Sequence, residues 1–414
     1  MGGAACAASS IPTVTGQVLV LNSGSSSVKF ALVDPETGQR KVDGEAERVG
    51  TPEAVLHVTR YPAPAVTEPL PAGDHQAVIS RILHHLADAG HEAAGAGHRV
   101  VHGGARFTAS VLVDDEVIDA IRSFSPLAPL HNPANLAGIE AVRAVRPDLP
   151  QAAVFDTAFH QTMPPRAYRY AVRQDWYATH LIRRYGFHGT SHRYVAGRAA
   201  VLLDRPPGQL SLVTAHLGNG CSATAVRDGI SVDTTMGLTP LEGLVMGTRS
   251  GDIDPGVFGY LADRTGMSAA EITDTLNTRS GLLGLSGASN DMRSLQDAVA
   301  AGDERAHLAL EVFVHRLAKA VAGLVTSLDR LDALVFTAGI GENSVLVRHL
   351  VLGRLGFLGL TEDPEANARH GQGTRGRISV PGPVQALVVP TDEELMIARD
   401  TARLIASDPG QRGS

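Results

Sequence analysis

Residues 18–34 read VLVLNSGSSSVKFALVD, two apolar arms joined by the small polar loop NSGSSS. Apolar residues alternate along the second arm, which predicts a strand, and Lys29 falls on the side opposite to Val28, Phe30 and Leu32. Two interpretations of this lysine are open. Its stem could lie along apolar surface with the ammonium in water, or its charge could help the loop to hold an anion.

The pattern of strand, small-residue loop and strand occurs again at 211–228, SLVTAHLGNGCSATAVRD. Two similar hairpins in different halves of the chain predict an internal duplication, with one copy in each of two domains. A third glycine turn at 333–344, ALVFTAGIGENS, follows an apolar strand and could open a helix. Helical spacing also predicts a helix at 76–90 and a long helix or helix pair at 304–330.

These glycine loops could hold a polyphosphate from two sides if both faced one cleft. They do not match a P-loop, because GxxxxGK[ST] does not occur in the chain. The segment GIGEN lacks the third glycine of the dinucleotide fingerprint, so a Rossmann domain is disfavoured.

Length and composition limit the function classes. The chain has 414 residues, which predicts two domains rather than one core. Its net charge of −7 argues against a nucleic-acid partner. No apolar run is long enough to span a bilayer, and the first residues lack the pattern of a signal peptide, so we expect a cytoplasmic protein without a membrane partner. The two cysteines lie far apart, which excludes a CxxC metal pair.

Two arginines and one histidine lie among turn-forming residues. Arg99 is in GHRVVHGG and Arg249 is in MGTRSGDIDPG. A guanidinium can hold carboxylate or phosphate in a bidentate manner, although each arginine could also form a structural ion pair. His188, in YGFHGTSH, could neutralise charge on a transferring group or be a hydrogen-bonded core residue. No HExxH spacing occurs, so a zinc enzyme is disfavoured.

Two carboxylates follow apolar strands. Asp156 ends the strand of AVFDTAF and has no capping role that the sequence reveals, which favours a functional one. Glu393 lies in VVPTDEEL where a helix should begin, with Thr391 as the expected N-cap. Glu393 could simply favour the helix start by its charge, or it could bind Mg²⁺.

The segments NSGSSSVKF, GHRVVHGG, LAPLHNP, FDTAFHQTMP, YGFHGTSH, AHLGNG, MGTRSGDIDPG, FTAGIGENS and PTDEEL, in this order and spacing, resemble the acetokinase family. The resemblance implies the α/β fold of the actin and sugar-kinase superfamily, with two ribonuclease-H-like domains around a central cleft. The implied N-terminal domain is 16–156, completed by a C-terminal helix at 392–414, and the implied nucleotide-binding domain is 157–391. Residues 1–15 would form a disordered tail.

The resemblance also implies an activity. It is the reversible, Mg²⁺-dependent transfer of the γ-phosphoryl group of ATP to acetate, giving ADP and acetyl phosphate by direct in-line transfer. Mn²⁺ could replace Mg²⁺, and the enzyme would be a homodimer. Two alternatives are open: a propionate or butyrate kinase on the same scaffold, and an actin-like ATPase that serves as a sensor or scaffold.

The resemblance assigns roles to individual positions. The catalytic residues would be Asn22, Arg99, Asp156, His188 and Arg249. Arg99 would also hold the acid, whose methyl group would enter a pocket of Val101, Leu130, Phe187 and Pro240. The metal ligands would be Asn22 and Glu393. The nucleotide would contact Ser25, Ser27, Lys29, His216, Gly218, Asn219, Gly220, Asp291, Arg293, Gly339, Ile340, Gly341 and Asn343.

One position departs from the family pattern. The family usually continues HGG with glutamate, where this chain has Ala105. If that glutamate helps to position metal or substrate, we expect its loss to change affinity more than activity.

Overall fold

A computed structural model of the chain describes residues 16–70 and 73–408. The tail expected at 1–15 and the last residues of the helix expected at 392–414 lie outside the described residues. The described residues form the following strands: β1 (Gln17–Ser23), β2 (Ser27–Val33), β3 (Arg40–Glu47), β4 (Val55–Arg60), β5 (Val66–Pro69), β6 (Ala93–Val100), β7 (Val111–Leu112), β8 (Gln151–Phe155), β9 (Ser211–Leu217), β10 (Cys221–Arg227), β11 (Ile230–Thr234), β12 (Ala333–Thr337) and β13 (Gln385–Val388).

The same residues form the following α-helices: α1 (His75–Asp88), α2 (Asp115–Ser123), α3 (Asn132–Val145), α4 (Pro165–Tyr168), α5 (Gln174–His180), α6 (Gly189–Leu203), α7 (Gly256–Thr265), α8 (Ala269–Thr278), α9 (Gly281–Ser286), α10 (Met292–Ala300), α11 (Glu304–Val325), α12 (Ala338–Asn343), α13 (Val345–Arg354), α14 (Pro364–Ala368) and α15 (Glu393–Ser407). Short 3₁₀ helices occur at Ser125–Leu127, Ala158–Thr162, Pro207–Gln209 and Gly356–Leu358. Within the described ranges, no helix is both long enough and apolar enough to cross a membrane.

The chain divides into two compact units, with boundaries between Asp156 and Thr157 and between Asp392 and Glu393. Unit one is the N-terminal part together with α15, and unit two is the segment between the two boundaries. Each unit has its own sheet. The expectation that these units are two ribonuclease-H-like domains facing one cleft stays a prediction.

The two sheets repeat one topology. In unit one the strand order is β5-β4-β3-β2-β1-β6-β8-β7, and in unit two it is β11-β10-β9-β12-β13. Each begins with a strand that pairs with an antiparallel hairpin on one side, β2–β3 or β10–β11. On its other side this strand pairs with a parallel strand, β6 or β12, which pairs in turn with a second parallel strand, β8 or β13. The predicted α/β class and internal duplication are therefore confirmed.

Unit one packs helices on its sheet through the alternation seen in the sequence. Val28, Phe30 and Leu32 lie in one apolar core with residues of α1 and α3, as the period of two predicts. Helix α15 contacts β1, β6 and β8. Its close approach requires Gly97 on β6, because a Cβ at that position would lie 2.4 Å from the hydroxyl oxygen of Thr401.

Unit two has a separate core around β9 and β12. Helix α6 contributes Val195 and Ala199, which lie in one buried cluster with Leu212 and Val335. The helix predicted at 304–330 is a single helix, α11, which contacts β9 and β10. The turn predicted to open a helix after β12 does so, as α12.

Two buried asparagines of α3 hold the ends of strands in unit one. The side-chain oxygen of Asn135 accepts from the N–H of Val101 at 3.1 Å, and its amide donates to the carbonyl oxygen of Ser23 at 2.8 Å. Asn132 accepts from the N–H of His102 and donates to the same residue's carbonyl oxygen. The chain segments after β6 and at the end of β1 are thus fixed by one helix face.

We predict that Asn135→Ala destabilises the protein by about 2–4 kcal/mol, because two buried backbone groups lose their partners. The melting temperature should fall by roughly 5–10 °C. Asn277→Ala is the control, since its amide bonds only locally on α8, to the carbonyl oxygen of Thr273. Equal melting temperatures for the two variants would contradict a stabilising role for the two hydrogen bonds of Asn135.

Candidate active site

The expected site residues fall into two groups, one in each unit, and each group is described by itself. The groups share a feature of sequence: most members follow a strand directly or begin a helix. Strand ends place side chains at a fixed edge of a sheet, where they are available to a ligand.

In unit one, Arg99 is held by Asp156. Their strands β6 and β8 are parallel neighbours, and the backbone N–H of Asp156 donates to the carbonyl oxygen of Val100 at 2.9 Å. The Asp156 side chain is 1% exposed and accepts from Arg99 Nη2 at 2.6 Å and from Nε at 3.1 Å. The charge of Asp156 raises the pKa of Arg99 further above its usual range, although burial opposes this. Asp156 therefore fixes a permanent cation.

Glu393 begins α15 and lies near the same guanidinium. Its Oε2 is 4.0 Å from Arg99 Nε. The helix begins at Glu393, two positions after Thr391, and the N-cap expected at Thr391 stays a prediction. The Thr391 hydroxyl bonds with that of Ser191 at 2.8 Å.

The expected metal ligands offer oxygen donors of the kind that Mg²⁺ prefers. Asn22 supplies an amide and Glu393 a carboxylate, and both belong to unit one. Throughout the described ranges, no group of three or more histidine, cysteine or acidic side chains could hold a metal ion. The two residues fit a Mg²⁺ ion that takes its remaining ligands from substrate phosphates and water.

Lys29 lies beside the first glycine and serine loop. It is the register partner of Asn22, and its side chain is 59% exposed with Nζ 3.6 Å from Oε2 of Glu45. Within the loop the N–H of Gly24 donates to the carbonyl oxygen of Ser27 at 2.7 Å, and Ser25 is exposed. The lysine is thus a solvent-accessible cation next to a tight turn.

The expected acid pocket is divided between the units. Val101, in unit one, is buried, whereas Leu130 is 68% exposed. Phe187, in unit two, is buried, and the carbonyl oxygen of Pro240 accepts from Arg249 Nη1 at 2.6 Å. Neither unit alone brings all four residues together. Ala105, the position that departs from the family, is exposed after β6.

In unit two, His188 and Arg249 converge on the second glycine loop. A Cβ on Gly220 would lie 2.7 Å from Arg249 Nη2 and 3.4 Å from His188 Nε2. His188 precedes α6 with φ of 56°, an uncommon left-handed conformation for a side chain of this size. Its ring stacks on His216 with centroids 4.2 Å apart. Two nitrogen-bearing groups therefore face the same point of the turn.

Seven of the expected nucleotide contacts line one cavity of about 850 Å³ in unit two, a volume suited to a cofactor-sized ligand. They are Gly218, Asn219, Asp291, Arg293, Gly339, Ile340 and Asn343. Asp291 also caps α10 by accepting from the N–H of Ser294, and this bond lowers the pKa of Asp291. The structure does not place His216, Gly220 or Gly341 among the residues that line this cavity.

Sequence reasoning missed Asn290, Met292, Gln296, Asp297 and Ser344, which line the same cavity. The Asn290 amide donates to Asn219 Oδ1 at 3.1 Å, and the Ser344 hydroxyl donates to Gln296 at 3.2 Å. Gln296 and Asp297 lie three and four positions after Arg293 on α10, so helical periodicity could have revealed these two.

It also missed two charged residues that hold the turn around α12. Glu342 Oε1 accepts from the N–H groups of Ala338 at 2.8 Å and Thr391 at 3.1 Å. The buried Arg348 donates to the carbonyl oxygens of Gly341 and Glu342 at 2.9 and 2.8 Å. Burial lowers the pKa of Arg348 to about 10, which leaves it charged at neutral pH. Ala338 has φ of 62°, so this turn is strained and held by its neighbours.

Comparisons with known proteins agree with this arrangement. A sequence model described as the Acetokinase family matches residues 17–399. The chain is 57% identical over 389 residues to a protein named acetate kinase from Deinococcus radiodurans, covering 94% of this chain and 98% of that relative. It is 54% identical over 389 residues to an acetate kinase from Stutzerimonas stutzeri, with the same shares of 94% and 98%.

Solved structures agree as well. A propionate kinase from Francisella tularensis superposes with a TM-score of 0.89 at 46% identity, covering 93% of this chain and 99% of that one. An acetate kinase from Porphyromonas gingivalis gives a TM-score of 0.89 at 43% identity, covering 94% and 100%. The resemblance drawn from the motifs is confirmed, and this chain belongs to the acetokinase family of kinases.

Proposed function

We propose that this enzyme transfers the γ-phosphoryl group of ATP to acetate, reversibly and with Mg²⁺, giving acetyl phosphate and ADP. The observation that carries the proposal is the convergence of His188 and Arg249 on Gly220 in a glycine turn of the nucleotide-binding unit. Groups aimed at one point of such a turn can stabilise the charge of a transferring phosphoryl group.

The acid needs no general base in this proposal. A carboxylate is already ionised at neutral pH, so one of its oxygens can attack the γ-phosphorus in line with the leaving oxygen of ADP. Catalysis then depends on positioning two anions that repel each other and on stabilising the charge that spreads over the equatorial oxygens.

Arg99 would orient the acid's carboxylate, and Asp156 would hold that arginine in place. Arg249 and His188 would bind the phosphoryl oxygens, and Lys29 with Ser25 and Ser27 would contact the phosphate chain. Removal of one such contact in other enzymes costs about 3 kcal/mol of activation free energy, or roughly a hundredfold in rate. Asn22 and Glu393 would hold Mg²⁺, which would neutralise negative charge on the phosphates.

The choice of acid has a second candidate. The propionate kinase of Francisella tularensis is as similar in fold as the acetate kinase of Porphyromonas gingivalis, so propionate transfer on the same scaffold must be tested. The relevant measurement is ADP formation with ATP and Mg²⁺ alone, and then with acetate, propionate or butyrate. Acid-independent ADP formation would instead favour an ATPase. Homodimer formation, a cytoplasmic location and use of Mn²⁺ stay predictions.

We predict that Lys29→Ala lowers kcat/KM for ATP by about a hundredfold, because a cation next to the phosphate loop is lost. The melting temperature should change little, because the exposed pair with Glu45 is worth at most about 1 kcal/mol. Lys41→Ala is the control, since Lys41 donates to Gln39 on the surface of the same unit. A joint collapse of melting temperature and activity in Lys29→Ala would assign this lysine a structural role only.

We predict that the parent enzyme prefers acetate to propionate by about tenfold, and butyrate less still. In a filled pocket an added methylene costs about 1–3 kcal/mol, more than the ~0.8 kcal/mol that its burial gains. Val101→Ala should narrow this ratio of kcat/KM values, because it removes two methyl groups from the wall.

The matched control is Val100→Ala, which deletes the same atoms from the neighbouring buried valine. Val100 is the last residue of β6, whereas Val101 lies in the bend that follows, so the control should leave the ratio unchanged. Equal kcat/KM for acetate and butyrate in the parent would contradict the pocket and the preference for acetate.

A further inference from the structure

His188 is the first member of a chain of hydrogen bonds that runs into the core of unit two. Its Nδ1 lies 2.8 Å from the hydroxyl oxygen of Ser222, which lies 2.8 Å from Nε2 of His192. Nδ1 of His192 lies 2.7 Å from the hydroxyl oxygen of Thr214. That oxygen lies 3.5 Å from the carbonyl oxygen of Thr224, which can accept a hydrogen bond only.

Because His192 is neutral, it has one donor and one acceptor nitrogen. Burial, together with the nearby His160 and His216, lowers the pKa of His192 well below its usual range. The chain of bonds must therefore run in one direction. The Thr214 hydroxyl lies at the limit of hydrogen-bond distance from that carbonyl oxygen and can only donate to it. In that arrangement Nδ1 of His192 donates to Thr214, and Nε2 of His192 accepts from Ser222. The Ser222 oxygen then accepts from Nδ1 of His188.

The surroundings of His188 favour the same direction. Two groups that can carry charge lie against it: His216 is stacked on its ring, and Nη2 of Arg249 faces Gly220 together with Nε2 of His188. Arg249 has only donors. An unprotonated Nε2 on the same side as a guanidinium is electrostatically better than a second N–H.

We propose that Ser222 and His192 are positioning residues that hold His188 with its proton on Nδ1 and direct Nε2 toward the phosphate turn. Nε2 then takes up a proton from solvent water when a phosphoryl anion arrives, and the ring becomes the cation that stabilises this anion. This inference rests on the proposed function for its consequence in catalysis. The tautomer itself depends only on the hydrogen-bond chain.

The tautomer can be measured in the unmodified protein by ¹⁵N NMR of its histidines at about pH 8.5, two units above the ordinary histidine pKa. The His188 signal is the one that disappears in His188→Gln. We expect the Nδ1–H tautomer, and addition of Mg²⁺ with a non-hydrolysable ATP analogue at neutral pH should protonate Nε2. The Nε2–H tautomer in the free protein would overturn the proposal.

Ser222→Ala tests the consequence for catalysis. We expect kcat to fall about tenfold, KM for ATP and acetate to change less than about twofold, and the His188 signal to lose its single-tautomer pattern. Thr224→Val is the matched control, because it deletes a buried hydroxyl two residues along β10 that bonds with Thr234. Its kcat should stay within about twofold of the parent.

Equal losses in Ser222→Ala and Thr224→Val, or an unchanged kcat and tautomer in Ser222→Ala, would overturn the role of Ser222. If Ser222→Ala does not fold, the His188 tautomer, measured by ¹⁵N NMR in His192→Gln and in the parent, still tests the proposal. A parent protein that shows the Nδ1–H tautomer but no acid-dependent ADP formation would contradict the proposed function and not the hydrogen-bond chain.

Discussion

The buried carboxylate of Asp156 sets the constraint on which the geometry of unit one depends. A carboxylate whose side chain is only 1% exposed needs a partner of opposite charge, and this partner is the guanidinium of Arg99 on the neighbouring strand. Loss of one partner of such a pair generally costs about 3–5 kcal/mol, because the other charge is left buried. The register of β6 and β8 therefore fixes where the cation lies, and the sheet itself positions Arg99.

In unit two, neutral side chains hold His188. Ser222, His192 and Thr214 satisfy one another in the core, and the glycine turns leave room for side chains that approach closely. Around α12 the charged side chains of Glu342 and Arg348 bind backbone groups. The two sheets thus share a topology but position their site residues differently, by a buried ion pair in unit one and by hydrogen bonds between neutral groups in unit two.

The sequence was sufficient to predict what depends on local pattern. Alternation and glycine spacing predicted both hairpins, the helix α11 and the turn at α12, and the motifs predicted the family. The sequence did not reveal what depends on distant contacts. Asn135 bonds to Ser23, more than a hundred positions away, and Glu342 accepts from the N–H of Thr391, 49 positions away. The contact of the Thr391 hydroxyl with Ser191, 200 positions away, was not predictable for the same reason.

Arg99 and His188 differ in whether the side chain can lose its proton. This difference explains why a carboxylate holds Arg99 whereas a hydroxyl holds His188. An arginine stays protonated at any physiological pH, so a buried carboxylate can fix Arg99 without changing its charge. A histidine can lose its proton, and a carboxylate in the place of Ser222 would favour the charged ring at all times. In the proposed mechanism, a hydroxyl that is itself held by neutral His192 orients His188 and would leave its charge responsive to a phosphoryl anion beside Nε2. On this proposal, the residue that holds each side chain, Asp156 or Ser222, decides whether the charge of that side chain is permanent or changes when substrate binds.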